Sequence, residues 1–151
     1  MPGQSHRGGH SDGPRDASTA TCLAAGWTLV TVSLAGGLLL ESFHLVKLPS
    51  YLDIHLRREL WTLAHAHGTL LGAIAVLFGI SAERLLPDPV VRARAARLVL
   101  WGAVLVPFGF LGGGIANAEG DPSLAILLVP AGGLLLLLGL GLLARGAWSA
   151  R

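Results

Sequence analysis

Four long apolar segments constrain the fold of this chain more than any other feature of its sequence. Residues 22–40, 61–80, 98–116 and 123–144 are each close to the ~20 residues that an α-helix needs to cross the hydrocarbon core of a bilayer. None of the four segments contains Lys, Arg, Asp or Glu. The sequence therefore predicts an all-α, polytopic membrane protein in which four transmembrane helices form a bundle.

The composition supports a membrane protein with one domain. The chain has 151 residues, of which 52% are hydrophobic and only 13% are charged, whereas about 25% are charged in a soluble domain. We predict a transmembrane domain over residues 21–148, with spans at about 22–46, 60–82, 97–117 and 123–144. The loops between these spans are short, so the sequence indicates no separate catalytic domain.

The first twenty residues differ from the rest of the chain. They are rich in Gly, Ser, Pro and charged residues and show no apolar periodicity, which predicts a disordered tail over residues 1–20. The apolar segment after them is long enough to span a membrane, which favours an uncleaved anchor over a signal peptide. The single Cys22 excludes an intramolecular disulfide, and the formal charge of +2 gives no indication of a nucleic-acid partner.

The basic residues are unevenly divided between the two sides of the predicted bundle. One side has the chain termini and the loop between the second and third spans, and it carries Arg7, Arg15, Arg84, Arg92, Arg94, Arg97, Arg145 and Arg151. The other side carries Lys47, Arg57 and Arg58. By the positive-inside rule, both termini are expected in the cytoplasm, with the protein in a bacterial-type inner membrane.

Glycines at helical spacing predict where the spans pack. In a bilayer, lipid tails solvate an apolar side chain as well as another helix does. Helices therefore associate where small residues let their backbones approach closely. Gly68-Thr-Leu-Leu-Gly72 is a GxxxG motif, and His65 lies on the same helical face. We predict helix contacts, within the chain or between copies in a homo-oligomer, at six glycines: Gly68, Gly72, Gly109, Gly113, Gly132 and Gly139.

Titratable residues lie near the outer ends of the spans. Counting ~1.5 Å per residue inward from Lys47 and from Arg58 places Glu41 and His65 at nearly equal depth. Because polar groups are costly in lipid, we expect them to face the bundle interior. His67 points nearly opposite to His65, since a helix turns ~100° per residue. The predicted polar cluster comprises Glu41, His44, His65, His67, Asn117 and Glu119.

Three interpretations of this cluster follow from the residues. In the first interpretation, Glu41 and His65 form a structural hydrogen bond that holds the helices in register. Alternatively, His44, His65 and Glu41 bind a single transition metal, or the two histidines bind a haem iron. The third interpretation is proton, quinone or small-solute handling. We predict a non-enzymatic accessory or structural component that contacts the bilayer and other membrane proteins. The alternative is a metal- or haem-binding protein with a redox or proton/quinone-linked role.

Three short motifs carry a family resemblance. They are Glu41-Ser-Phe-His44, Ala66-His67-Gly68 and Val129-Pro130-Ala131-Gly132-Gly133. Together with the four-span layout from about residue 25 to residue 144, they resemble the small four-helix inner-membrane proteins of the YgdD type. Glu41 and His65 are not part of that family's pattern. The resemblance implies a topology and no activity.

Overall fold

The computed structural model describes residues 16–115 and 120–150, and most of them lie in helices. The helices are α1 (Ala17–Leu45), α2 (Pro49–Leu52), α3 (His55–Leu85), α4 (Pro89–Gly113) and α5 (Leu128–Ser149), with a 3₁₀ turn at Leu124–Leu127. Four of them, with the 3₁₀ turn counted into the last, are long and apolar enough to cross a membrane. The predicted all-α, four-helix membrane protein is therefore confirmed.

Three helices, α1, α3 and α4, begin earlier than the sequence analysis predicts, and α3 begins at His55 rather than at about residue 60. The Asp16 carboxylate accepts a hydrogen bond from the backbone N–H of Ser18 at 3.0 Å, and α1 begins at Ala17. The predicted disordered tail is thus wrong for residues 17–20, while residues 1–15 lie outside the described part of the chain. α4 begins at Pro89, directly after a capping Asp88. An Asp cap followed by Pro at the first helical position was the sequence signal for this start.

The four long helices pack in chain order. α1 packs against α3, α3 against α4, and α4 against α5, while α1 also touches α4. Within the described residues, α1 and α5 do not contact each other. α3 and α4 therefore occupy the centre of the bundle, and large parts of α1 and α5 are exposed. Exposed side chains such as Trp27, Leu38 and Leu137 are placed to contact lipid.

The six glycines predicted at helix contacts are all buried. A Cβ at Gly72 of α3 would lie 2.9 Å from the carbonyl oxygen of Gly26 in α1. Similarly, a Cβ at Gly132 of α5 would lie 3.1 Å from the carbonyl oxygen of Gly102 in α4. The backbones of neighbouring helices thus approach closely at these positions. These glycines pack helices of one chain and leave no glycine surface there for a second copy.

A polar network joins three helices at the end of the bundle where α1 begins. Asp16 Oδ2 lies 2.7 Å from Arg92 Nη2, and Arg92 Nη1 donates to the carbonyl oxygen of Leu86 at 2.6 Å. Glu83 Oε1 accepts from the backbone N–H of Asp16 at 3.1 Å. The hydrogen bond from the Ser18 N–H, and then the Arg92 guanidinium, hold the pKa of Asp16 below its usual value. This network fastens the start of α1 to the end of α3 and the start of α4.

A single arginine joins the segments at the opposite end. Arg57, in the first turn of α3, donates from Nη1 to the carbonyl oxygen of Ser50 at 2.6 Å. It also donates from Nε to the carbonyl oxygen of Gly114 at 2.9 Å and from Nη2 to the carbonyl oxygen of Ile115 at 3.3 Å. Its guanidinium carbon lies 5.7 Å from the centre of the Trp61 ring. Arg57 therefore links α2 and the end of α4 to the start of α3.

Candidate functional site: two clefts that meet at His65

His65 of α3 lies against α1, on the bundle side of its helix. Its Nδ1 is 2.7 Å from the carbonyl oxygen of Ser33. Because a carbonyl oxygen only accepts hydrogen bonds, Nδ1 carries the proton and donates. The imidazole also packs on Gly37, where an added Cβ would collide with the ring. A glycine at that position of α1 is what makes room for the histidine.

Glu41 does not bond to His65, so the predicted structural hydrogen bond between them is wrong. Within the described part of the chain, Glu41 forms no hydrogen bond or ion pair, and its side chain is exposed. His65 is level with Ser33 and Gly37, and Glu41 lies one helical turn, ~5.4 Å, closer to the end of α1. The small residues bring the α1 backbone within reach of His65, so a carbonyl oxygen takes the place expected for the carboxylate.

His67 is separated from the other members of the predicted cluster. Its Nδ1 is 2.9 Å from the carbonyl oxygen of Leu63 in its own helix. Its ring centre lies 4.9 Å from that of Phe110 in α4, on a different face from the α1 contact of His65. Asn117 and Glu119 lie outside the described residues. The structure therefore brings together only Glu41, His44 and His65 of the predicted set.

These three residues line one cavity of about 460 Å³, which we call the Glu41 cleft. It lies between α1, α3 and the short helix α2, which contributes the buried Tyr51. The His44 ring stands edge-on to the Tyr51 ring, with 5.1 Å between the ring centres. Apolar side chains including Leu34 complete the lining. The cleft thus combines a carboxylate, two imidazoles and an aromatic ring.

A second cavity of about 570 Å³, the lateral groove, lies between α1, α3 and α4. Its lining is largely apolar and includes Leu29, Val32, Leu39, Phe43, Pro107 and Leu111. Arg57 and Trp61 line the part of the groove nearest the start of α3. His65 lines both the groove and the Glu41 cleft. Leu40 lines both cavities as well, so they border each other at these two residues.

The geometry does not support the predicted metal site. Across residues 16–115 and 120–150, no group of three or more His, Cys, Asp or Glu side chains is placed to hold a metal ion. Glu41, His44 and His65 share a cleft, but they do not form such a group. The hypotheses of a single transition metal or a haem at these residues therefore gain no support from the fold.

Three further residues shape the site and were missed in the sequence analysis. Ser33 supplies its carbonyl oxygen to His65, and Arg57 secures the segments that border the groove. Tyr51 is buried and stacks on Trp61, with 5.9 Å between ring centres and 20° between ring planes. A tyrosine two residues after Pro49 in a short loop was the one available signal for a packed corner. No sequence pattern indicated that His65 and Arg57 would bond to backbone carbonyl oxygens.

Comparison of the chain with protein-family models, with curated proteins and with solved structures finds no match.

Proposed function

We propose that this multi-pass membrane protein is a non-enzymatic accessory component of a bacterial-type inner membrane, and that it holds the hydrocarbon chain of a bilayer molecule in its lateral groove. The groove itself carries the proposal. Its volume of about 570 Å³ is within the ~300–1,000 Å³ of small-molecule sites. Along α1 it extends from Leu29 to Phe43, which corresponds to ~21 Å of helix. A long chain fits that shape better than a compact solute does.

The ends of the groove differ in polarity, which orients the occupant. Arg57 and Trp61 lie at the start of α3, and tryptophan side chains favour the membrane–water interface. From there the lining continues past Ala64 and Gly36 to the apolar Leu29. A head group is therefore expected near Trp61, with the attached chain directed toward the centre of the bilayer.

Filling the groove tests this proposal. A Cβ at Gly36, which lines the groove, has no atom within 4 Å, so the side chain of Gly36→Trp can start into the groove without a clash at Cβ. We expect the wild type in nanodiscs to be labelled at residues 29–43 and 107–115 by a phospholipid with a diazirine in its acyl chain. Gly36→Trp should lower the labelling of these two ranges to the level of the exposed leucines of α5, as read by peptide mass spectrometry.

Gly141→Trp is the matched control for the groove-filling variant. Gly141 of α5 also has no atom within 4 Å of its added Cβ, and it lies outside the groove. Its labelling pattern should equal that of the wild type. Labelling spread evenly over the exposed leucines of α5, with no decrease in Gly36→Trp, would contradict a specific site.

The proposal also places both termini in the cytoplasm. The surplus of basic residues on that side supports this orientation, with eight of the eleven Lys and Arg residues there. The end of α5 lies beside the end of α3, since a Cβ at Gly146 would collide with the carbonyl oxygen of Leu85. Alkaline phosphatase fused after Ser50 or Gly120 should be active, and after Asp88 inactive. Activity only after Asp88 would reverse the orientation.

We also propose a relationship to the YgdD type and association with other proteins through exposed faces. The motifs at residues 41–44, 66–68 and 129–133 support the relationship. A second copy or a partner would contact α1 and α5, whose outward surfaces carry residues such as Trp27 and Leu137. The buried glycines of the helix contacts are already used within the chain.

A further inference from the structure

We infer that the Glu41 cleft binds an amphiphilic organic ammonium ion at the outer side of the membrane. This site is distinct from the lateral groove and goes beyond the proposed function. Within the described residues, the ion pairs are His55–Glu59 and Asp16–Arg92, and Glu41 belongs to neither. No Lys or Arg lines the cleft. Its carboxylate therefore lacks a cationic partner from the described chain.

The two histidines add hydrogen-bond acceptors to this carboxylate. His44 Nδ1 is 3.1 Å from the carbonyl oxygen of Leu40, and His65 Nδ1 is 2.7 Å from that of Ser33. Both Nδ1 atoms must donate, because carbonyl oxygens only accept. In the neutral ring, Nε2 is then left as an acceptor. Glu41 and the two imidazoles therefore line the cleft with acceptor groups, and the carboxylate among them can accept an N–H donor of an ammonium group.

The size and the remaining lining favour an organic cation over a metal ion. Glu41, His44 and His65 line a cleft of about 460 Å³ and do not form a metal-binding group. Tyr51 forms one wall of the cleft, where its ring packs against that of His44. Leu34 and Leu38 line the cleft and are exposed on α1, where a hydrocarbon chain would contact them.

The depth of the cleft fits a ligand that is dissolved in the bilayer. Glu41 is four residues before the end of α1 at Leu45, or ~6 Å along the helix axis. Because the head-group layer of each leaflet is ~5–8 Å thick, a carboxylate at this distance from the end of a spanning helix is expected near the boundary between head groups and hydrocarbon. An ammonium head group can reach the carboxylate there while its chain remains among the lipid tails.

Calorimetry with octylammonium tests the inference. The ion is titrated into the wild type in phosphatidylcholine nanodiscs, and titration of empty nanodiscs corrects for partitioning. We expect saturable binding of one ion per chain. Octanol, which lacks the charge, and octyltrimethylammonium, which lacks N–H donors, should both bind more weakly. Equal binding of either compound would overturn the assignment of a hydrogen-bonding ammonium ligand.

Substitution of the carboxylate provides the second measurement. Glu41→Gln should weaken octylammonium binding about tenfold, corresponding to ~1.4 kcal/mol. Because Glu41 is exposed, the variant should keep the wild-type circular dichroism spectrum. Glu59→Gln is the matched control: it removes another exposed carboxylate on the same side, outside the cleft, and should not change binding. Unchanged binding by Glu41→Gln would overturn the inference. Gly36→Trp should leave octylammonium binding intact. The proposal for the lateral groove can therefore be refuted without affecting the assignment of the Glu41 cleft.

Discussion

Gly26→Ile should lower the free energy of unfolding by about 3 kcal/mol, the largest of the effects that we predict. A Cβ at Gly26 would lie 2.8 Å from the carbonyl oxygen of Gly72 and 2.9 Å from the backbone nitrogen of Val76. Backbone atoms of a helix cannot rotate away as a flexible side chain can. The substitution must therefore push α1 and α3 apart. Gly72→Ile should act in the same way, because the two glycines face each other.

Gly36→Ile is the matched control on the same helix. A Cβ at Gly36 has no atom within 4 Å, so its effect should remain within about 0.5 kcal/mol. Unfolding in detergent, followed by helical circular dichroism, compares the two variants. Equal stability of Gly26→Ile and Gly36→Ile would mean that α1 and α3 do not cross at Gly26.

Arg57→Leu should have the second-largest effect, a loss of about 2 kcal/mol. The guanidinium donates to backbone carbonyl oxygens of Ser50, Gly114 and Ile115. The latter two oxygens are at the end of α4, where the helix itself supplies no donors. Leucine keeps the apolar stem and removes every donor. Arg57→Lys should be intermediate, because one ammonium group cannot reproduce the spread of the guanidinium donors.

Arg58→Leu separates this contribution from a general effect of charge. Arg58 is the next residue of α3, and it forms no hydrogen bond or ion pair with another residue of the described chain. Its loss should change stability by no more than about 0.5 kcal/mol. Thermal unfolding compares the stability of the two variants, and limited proteolysis compares the resistance of the segment around α2. If Arg57→Leu were as stable and as resistant as Arg58→Leu, the linking role of Arg57 would be refuted.

The sequence by itself determined the class of protein and the number of long helices. In a bilayer, a chain must satisfy its backbone polar groups internally, so an apolar segment of about 20 residues has little alternative to a helix. Helical spacing also located the buried glycines, because positions on one face are a local property. The starts of α1, α3 and α4 were missed, although Asp16 marks the first and the pair Asp88-Pro89 marks the last.

Only the tertiary structure decided which groups meet at the candidate site. Counting along the spans brought Glu41 and His65 to one depth, but the offset and rotation of α1 against α3 depend on how closely their backbones pack. That packing gives His65 the carbonyl oxygen of Ser33 and leaves Glu41 in an exposed cleft. The partners of Arg57 could not be predicted from the sequence either, because they are backbone atoms distant along the chain. Local periodicity identifies which residues share a helical face, whereas the packing of all the helices determines which residues that face contacts.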